Sequence, residues 1–78
     1  MKTFNLLRKR NGEQKSEVVS VFVGEKIDEP EMLNDVQHYI DAWIESYTSI
    51  TNEEKQELFA DFDGNLSYDV WSFELVEE

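Results

Sequence analysis

Residues 3–24 read TFNLLRKRNGEQKSEVVSVFVG, two strand-like runs on either side of Asn11-Gly12. A type I′ turn needs positive φ at both central residues, which Asn-Gly supplies readily, so this stretch predicts a β-hairpin. With a two-residue turn, Arg10 faces Glu13, Arg8 faces Lys15, Leu6 faces Glu17 and Phe4 faces Val19. Side chains alternate between the faces of a strand. The register therefore sets Phe4, Leu6, Val19, Val21 and Val23 on one face, with Val18 and Phe22 on the other.

Downstream of the hairpin, the apolar period changes from two to about three and a half. Pro30 suits a first helical position, with Asp28 and Glu29 just before it. Met32, Leu33, Val36, Ile40, Trp43, Ile44 and Tyr47 then recur at three- and four-residue steps, which predicts an amphipathic helix of about five turns. Thr51 followed by Glu54 has the spacing of a capping box and starts a second, shorter helix that runs to about Phe62. Asp63-Gly64-Asn65 ends it as a turn. Residues 66–76 read as a last strand in which Leu66, Tyr68 and Val70 alternate in one phase and Trp71, Phe73 and Leu75 in the other. Either both faces are partly covered or a bulge switches the phase.

The order is ββααβ. An antiparallel helix pair returns the chain so that the last strand runs antiparallel to the first. The expectation is one α+β domain over residues 1–78, with a three-stranded antiparallel sheet in the order 2-1-3 and both helices on one face. The chain has no cysteine and a single histidine, His38, so neither a disulfide nor a thiolate metal site can staple it. Two tryptophans, three tyrosines and five phenylalanines at regular spacings argue for a packed core rather than a disordered acidic tail. The basic residues of Met1–Arg10 are not followed by an apolar stretch long enough for a signal peptide, nor does any run reach membrane-spanning length. A cytosolic protein is expected.

Charge is the other decisive feature. Residues 1–26 carry six bases and three acids, and residues 27–78 carry one base, Lys55, and fifteen acids, for a net charge of −11. A surface this acidic repels nucleic acid and anionic membrane and attracts basic protein surfaces. Glu31, Asp35, Asp41 and Glu45 lie on one side of the first helix, Glu53, Glu54, Glu57 and Asp61 on the second, and Asp63 in the turn. Carboxylates at helical spacing stand about 5–6 Å apart, against roughly 7 Å between phosphates along one strand of a duplex. A rigid acidic helix thus approximates a phosphate row. The plainer reading is a solvated face, but such faces usually mix both signs.

Other constellations point to less. Arg8, Lys9, Arg10 and Lys15 cluster at the hairpin tip and are expected to be a solvated end that shields the sheet edge. Asp61, Asp63 and Asn65 match the first, third and fifth ligands of an EF-hand loop. Leu66 replaces the glycine of that loop and Ser72 its closing glutamate, so a helix stop and turn is expected, with no metal and no cofactor. His38 beside Asp35 and Asp41 reads as a surface histidine. No nucleophile elbow, phosphate loop or HExxH motif is present, and an enzyme is not expected.

In size, charge, absence of cysteine and mixed α/β character, the chain resembles the small acidic phage-type inhibitors of nucleic-acid machinery, the anti-CRISPR and anti-restriction DNA mimics. The resemblance implies a non-catalytic protein that occupies the basic nucleic-acid-binding groove of a nuclease or similar complex, acting in the host cytoplasm. It rests on no motif, so the candidate contact residues remain those that charge and spacing single out: Glu31, Asp35, Asp41, Glu45, Glu53, Glu54, Glu57, Asp61 and Asp63. The alternative is a small structural or adaptor module that works through an apolar sheet face or by homodimerisation, its acids serving solubility. Salt separates the two, since only the first depends on charge attraction.

Overall fold

The computed structural model describes all residues, Met1–Glu78. Along the chain run β1 (Lys2–Arg10), β2 (Glu17–Gly24), α1 (Pro30–Tyr47), α2 (Asn52–Leu58), β3 (Asn65–Tyr68) and β4 (Trp71–Glu77). The architecture is α+β, as expected, but the antiparallel sheet has four strands in the order β2-β1-β4-β3 rather than three. The stretch expected to be one last strand is a hairpin. Asp69 and Val70 form its turn, with φ of 55° at Asp69, and Tyr68 pairs with Trp71 across it. The phase switch is thus a chain reversal, not a bulge. β4 is the strand that lies antiparallel to β1, and β3 is added outside it.

α1 follows its sequence pattern closely. Pro30 stands at its start, and Met32, Val36, Ile40 and Ile44, one turn apart, are each at most 2 % exposed. They pack on Phe4 and Leu6 of β1, Phe73 and Leu75 of β4 and Leu66 of β3. The entry to α1 is tight at Gly24: a Cβ there would stand 2.9 Å from Met32 Sδ and would also strike the Glu29 carboxylate. α2 starts at a complete capping box, in which Thr51 and Glu54 satisfy each other's backbone N–H reciprocally. It ends at Leu58, short of the expected Phe62. Beyond it Ala60 N donates to Glu57 O and Phe62 N to Phe59 O, three-residue bonds that tighten the chain before Asp61 turns into positive φ. Leu58, Phe59 and Phe62 are half-buried against the core that α1 covers, so both helices border one face of the sheet.

The hairpin register differs from that expected of Asn11-Gly12. Phe4 pairs with Phe22 and Leu6 with Ser20; after a shift between Leu6 and Leu7, Leu7 pairs with Val18 and Arg8 with Glu17. Only Gly12 has positive φ, at 93°, so the turn from Arg10 to Glu13 is not type I′, and β2 does not begin until Glu17. The end of β1 is claimed instead by β4: Arg10 pairs with Trp71, and Asn11 N donates to Val70 O at 2.6 Å. Burial explains the outcome. The observed register turns Phe22 toward α1, where it meets Tyr39 edge-on at 6.3 Å, and turns Val21 and Val23 out. Phe22 and Val19 are the residues of β2 that pack, partly buried, against the core, while Val21 and Val23 stay exposed. Of the residues expected on the open face, Val18 is there, while Phe22 and Tyr68 pack against the core and Val70 lies in the turn.

No helix is long and apolar enough to cross a membrane. The register makes a stability prediction that the sequence-based pairing reverses. In urea denaturation Val21→Thr should change stability by less than about 0.5 kcal/mol, whereas Phe22→Ala should cost more than about 1 kcal/mol and Ile40→Ala about 2–5 kcal/mol.

Candidate functional site

Of the fifteen acids beyond residue 26, eleven lie on the helices or the segments that flank them, and four, Asp69, Glu74, Glu77 and Glu78, lie on the β3–β4 hairpin and just after it. Glu31, Asp35, His38 and Glu45 are exposed along the outward side of α1, while Asp41 is turned toward α2 and partly covered. Glu53, Glu54 and Glu57 are exposed on α2, and Asp61 and Asp63 are exposed in the turn that follows it. The structure thus places all nine candidate residues on or beside the two helices, but it employs them differently.

Four of the nine already hold the fold. Lys55, the only base of α2, reaches back across the helix pair: Nζ donates to Glu45 Oε1 and lies 3.3 Å from Asp41 Oδ1. Asp41 Oδ1 is itself buried without a well-formed hydrogen bond, and this charge contact compensates it. Glu54 is occupied by its capping box, and Asp63 Oδ1 accepts from Asn65 N at 3.0 Å, an Asx turn into β3. The remaining five, Glu31, Asp35, Glu53, Glu57 and Asp61, have neither an ion pair nor a hydrogen bond. Two pairs among them, Glu31 with Asp35 and Glu53 with Glu57, are spaced i,i+4 and therefore stand about 5–6 Å apart on the helix surface.

Between α1 and α2 lies a shallow open groove of about 400 Å³, lined by Gln37, Asp41, Asn52, Lys55, Gln56 and Phe59. Three of these are neutral amides, and the Lys55–Asp41 contact lies among them, so the seam between the helices carries little net charge. Lys55 sits in that seam at 19 % side-chain exposure. The Glu45 carboxylate bonded to it holds its ammonium above the usual lysine range, opposed by partial desolvation and aided by Asp41.

Sequence reasoning missed the arrangement at the hairpin tip. Arg8 is not a solvated end. Its guanidinium lies over the rings of both Trp43 and Trp71, at 5.1 and 5.0 Å from their centroids, and donates to Glu17 Oε2 at 3.1 Å. Arg10 stacks over Trp71 at 5.9 Å. Trp43 and Tyr47 stack at 5.1 Å, and Tyr47 Oη donates to Asp69 Oδ2, tying the end of α1 to the β3–β4 turn. The signal was available: Arg8 is in phase with Phe4 and Leu6, so period-2 alternation puts it on the covered face. The guanidinium closes the end of the core through cation–π contact, leaving Lys9 and Lys15 to provide the positive charge expected of the tip. The region that resembled a calcium loop continues as β3 from Asn65, where the motif requires a second helix.

The seam makes a prediction with a fixed sign. A lysine whose folded pKa is raised stabilises the fold below its ordinary value of about 10.4 and loses that contribution as pH rises through the folded value. The melting temperature of Lys55→Met should therefore lie below that of the parent by a constant amount from pH 7 to about 10, and the gap should close above that range. Added salt should narrow it. No protein-family model, curated protein or solved structure matches the chain.

Proposed function

We propose that this is a non-catalytic binding protein whose acidic helical layer occupies a Lys/Arg-lined groove of a nucleic-acid-binding protein and excludes nucleic acid by competition. One observation carries the reading: Glu31, Asp35, Glu53 and Glu57 stand exposed and unpaired, while the only base of residues 27–78 is already held by Asp41 and Glu45. These four carboxylates have no counter-charge within the chain, so their field is left for a partner. Within each helix the paired carboxylates stand at intervals close to those of phosphates on one strand. A basic groove that normally holds a backbone can close on them without bending a duplex. Opposite fields steer such an encounter, which makes association fast and salt-sensitive.

The structure narrows which carboxylates to test. Glu45 and Glu54 support the fold, so reversing them confuses binding with stability. Glu31→Lys with Asp35→Lys, and Glu53→Lys with Glu57→Lys, leave the seam and the capping box intact. The test is capture on immobilised protein from nuclease-treated lysate of the natural host at about 50 mM salt, where surface charge is weakly screened. Elution with a DNA or RNA duplex then selects proteins whose nucleic-acid groove is engaged. The expected result is a partner released by duplex and lost at about 300 mM salt, bound about tenfold more weakly by each double variant. A partner held equally by both variants, or released by neither duplex nor salt, would sink the reading.

A further inference from the structure

The edge of the sheet at β2 lacks the charges and proline that usually protect a sheet edge; the register shift opposite Leu6 and Leu7 and a single contact from α1 are its protection. Residues 18–24, VVSVFVG, contain no charge and no proline in a chain with eighteen acids. Val18, Val21 and Val23 are 51, 54 and 57 % exposed on the face opposite the helices. Tyr39 Oη donates to Val19 O, which covers one carbonyl of the strand from the helical side. β2 has eight residues, whereas β3 at the other edge has four. A long uncharged edge presents a row of backbone N–H and C=O groups that only another strand can satisfy in register.

We propose that β2 pairs antiparallel with β2 of a second copy about a two-fold axis, joining two four-stranded sheets into one. Charge selects this occupant. Six of the seven bases lie in residues 1–26, which hold β1 and β2, and fifteen of the eighteen acids lie beyond. Two copies that meet at β2 therefore present their least negative sides to each other, and Glu17 at the start of the strand is already paired with Arg8. Copies that met through their helices would set like charge against like. A basic partner is drawn to the helices, not to this edge. The two-fold is perpendicular to the sheet, so both helical layers fall on one side and the valines of the two copies form one strip on the other. This pairing does not depend on the groove-binding reading.

Sedimentation equilibrium of the full chain tests it. Between about 1 μM and about 1 mM, the range that brackets modest dissociation constants, the mass should rise from 9.2 kDa toward twice that value. Added salt should strengthen the pairing by screening two negative copies, the reverse of its effect on groove binding, so the two ideas fail separately. Val21→Lys with Val23→Lys should weaken dimerisation about tenfold or more while the urea midpoint stays near that of the parent. Ser67→Lys, on β3, should leave the dimer unchanged. Amide exchange in the unmutated chain is a second readout: β2 amides should slow as concentration rises, and β3 amides should not. A monomer throughout, a dimer indifferent to the valine substitutions, or β2 exchange independent of concentration overturns the proposal.

Discussion

Met32, Val36, Ile40 and Ile44 press one stripe of α1 against Phe4, Leu6, Phe73 and Leu75 of the two central strands. With no disulfide, this contact is the chief counterweight to chain entropy. It also fixes everything else in place. The stripe decides which side of the sheet is covered, hence which phase of each strand turns inward. The opposite side of the same helix is then left to solvent, and there the carboxylates stand.

Surface placement of the acids lets a domain of this charge remain folded. Few acids intrude on the core, and those nearest the junction of the helices, Asp41 and Glu45, share the one lysine available to them. At the opposite end of the charge scale, Arg8 and Arg10 are drawn onto tryptophan faces instead of projecting as a basic finger. The helical layer thus carries most of the acids, while Asp69, Glu74, Glu77 and Glu78 extend the negative charge onto the β3–β4 hairpin.

Much of this was legible in the residues. α1 could be read from Pro30 and the four-residue apolar recurrence, and α2 from Thr51 and Glu54, because helix start signals are local. That the last strand lies antiparallel beside the first was expected, but not for the reason the helix pair supplied: β3, which follows the helices, runs parallel to β1, and the reversal into β4 restores the antiparallel direction. The hairpin register was not legible, because Asn11-Gly12 speaks only for its own turn, whereas the register is set by competition between β2 and β4 for the end of β1. The β3–β4 reversal was hidden because Asp69-Val70 lacks the glycine that usually announces a tight turn; the phase change at Trp71 was its only trace. Among the nine candidate carboxylates, their placement on the helical layer was legible and their employment was not. Whether an acid caps, bridges or stands free depends on a neighbour brought by tertiary structure, as Lys55 is brought to Asp41 and Glu45.

α2 has no fully buried residue and is anchored only by half-buried Leu58 and Phe59, the Lys55 contacts and its cap. Such an element opens well before the domain as a whole melts. Half of the carboxylate layer therefore rides on a firm helix and half on a detachable one. Any ligand that grips both must first still the second, and that ordering penalty falls on affinity while leaving the loosened row free to adjust its fit.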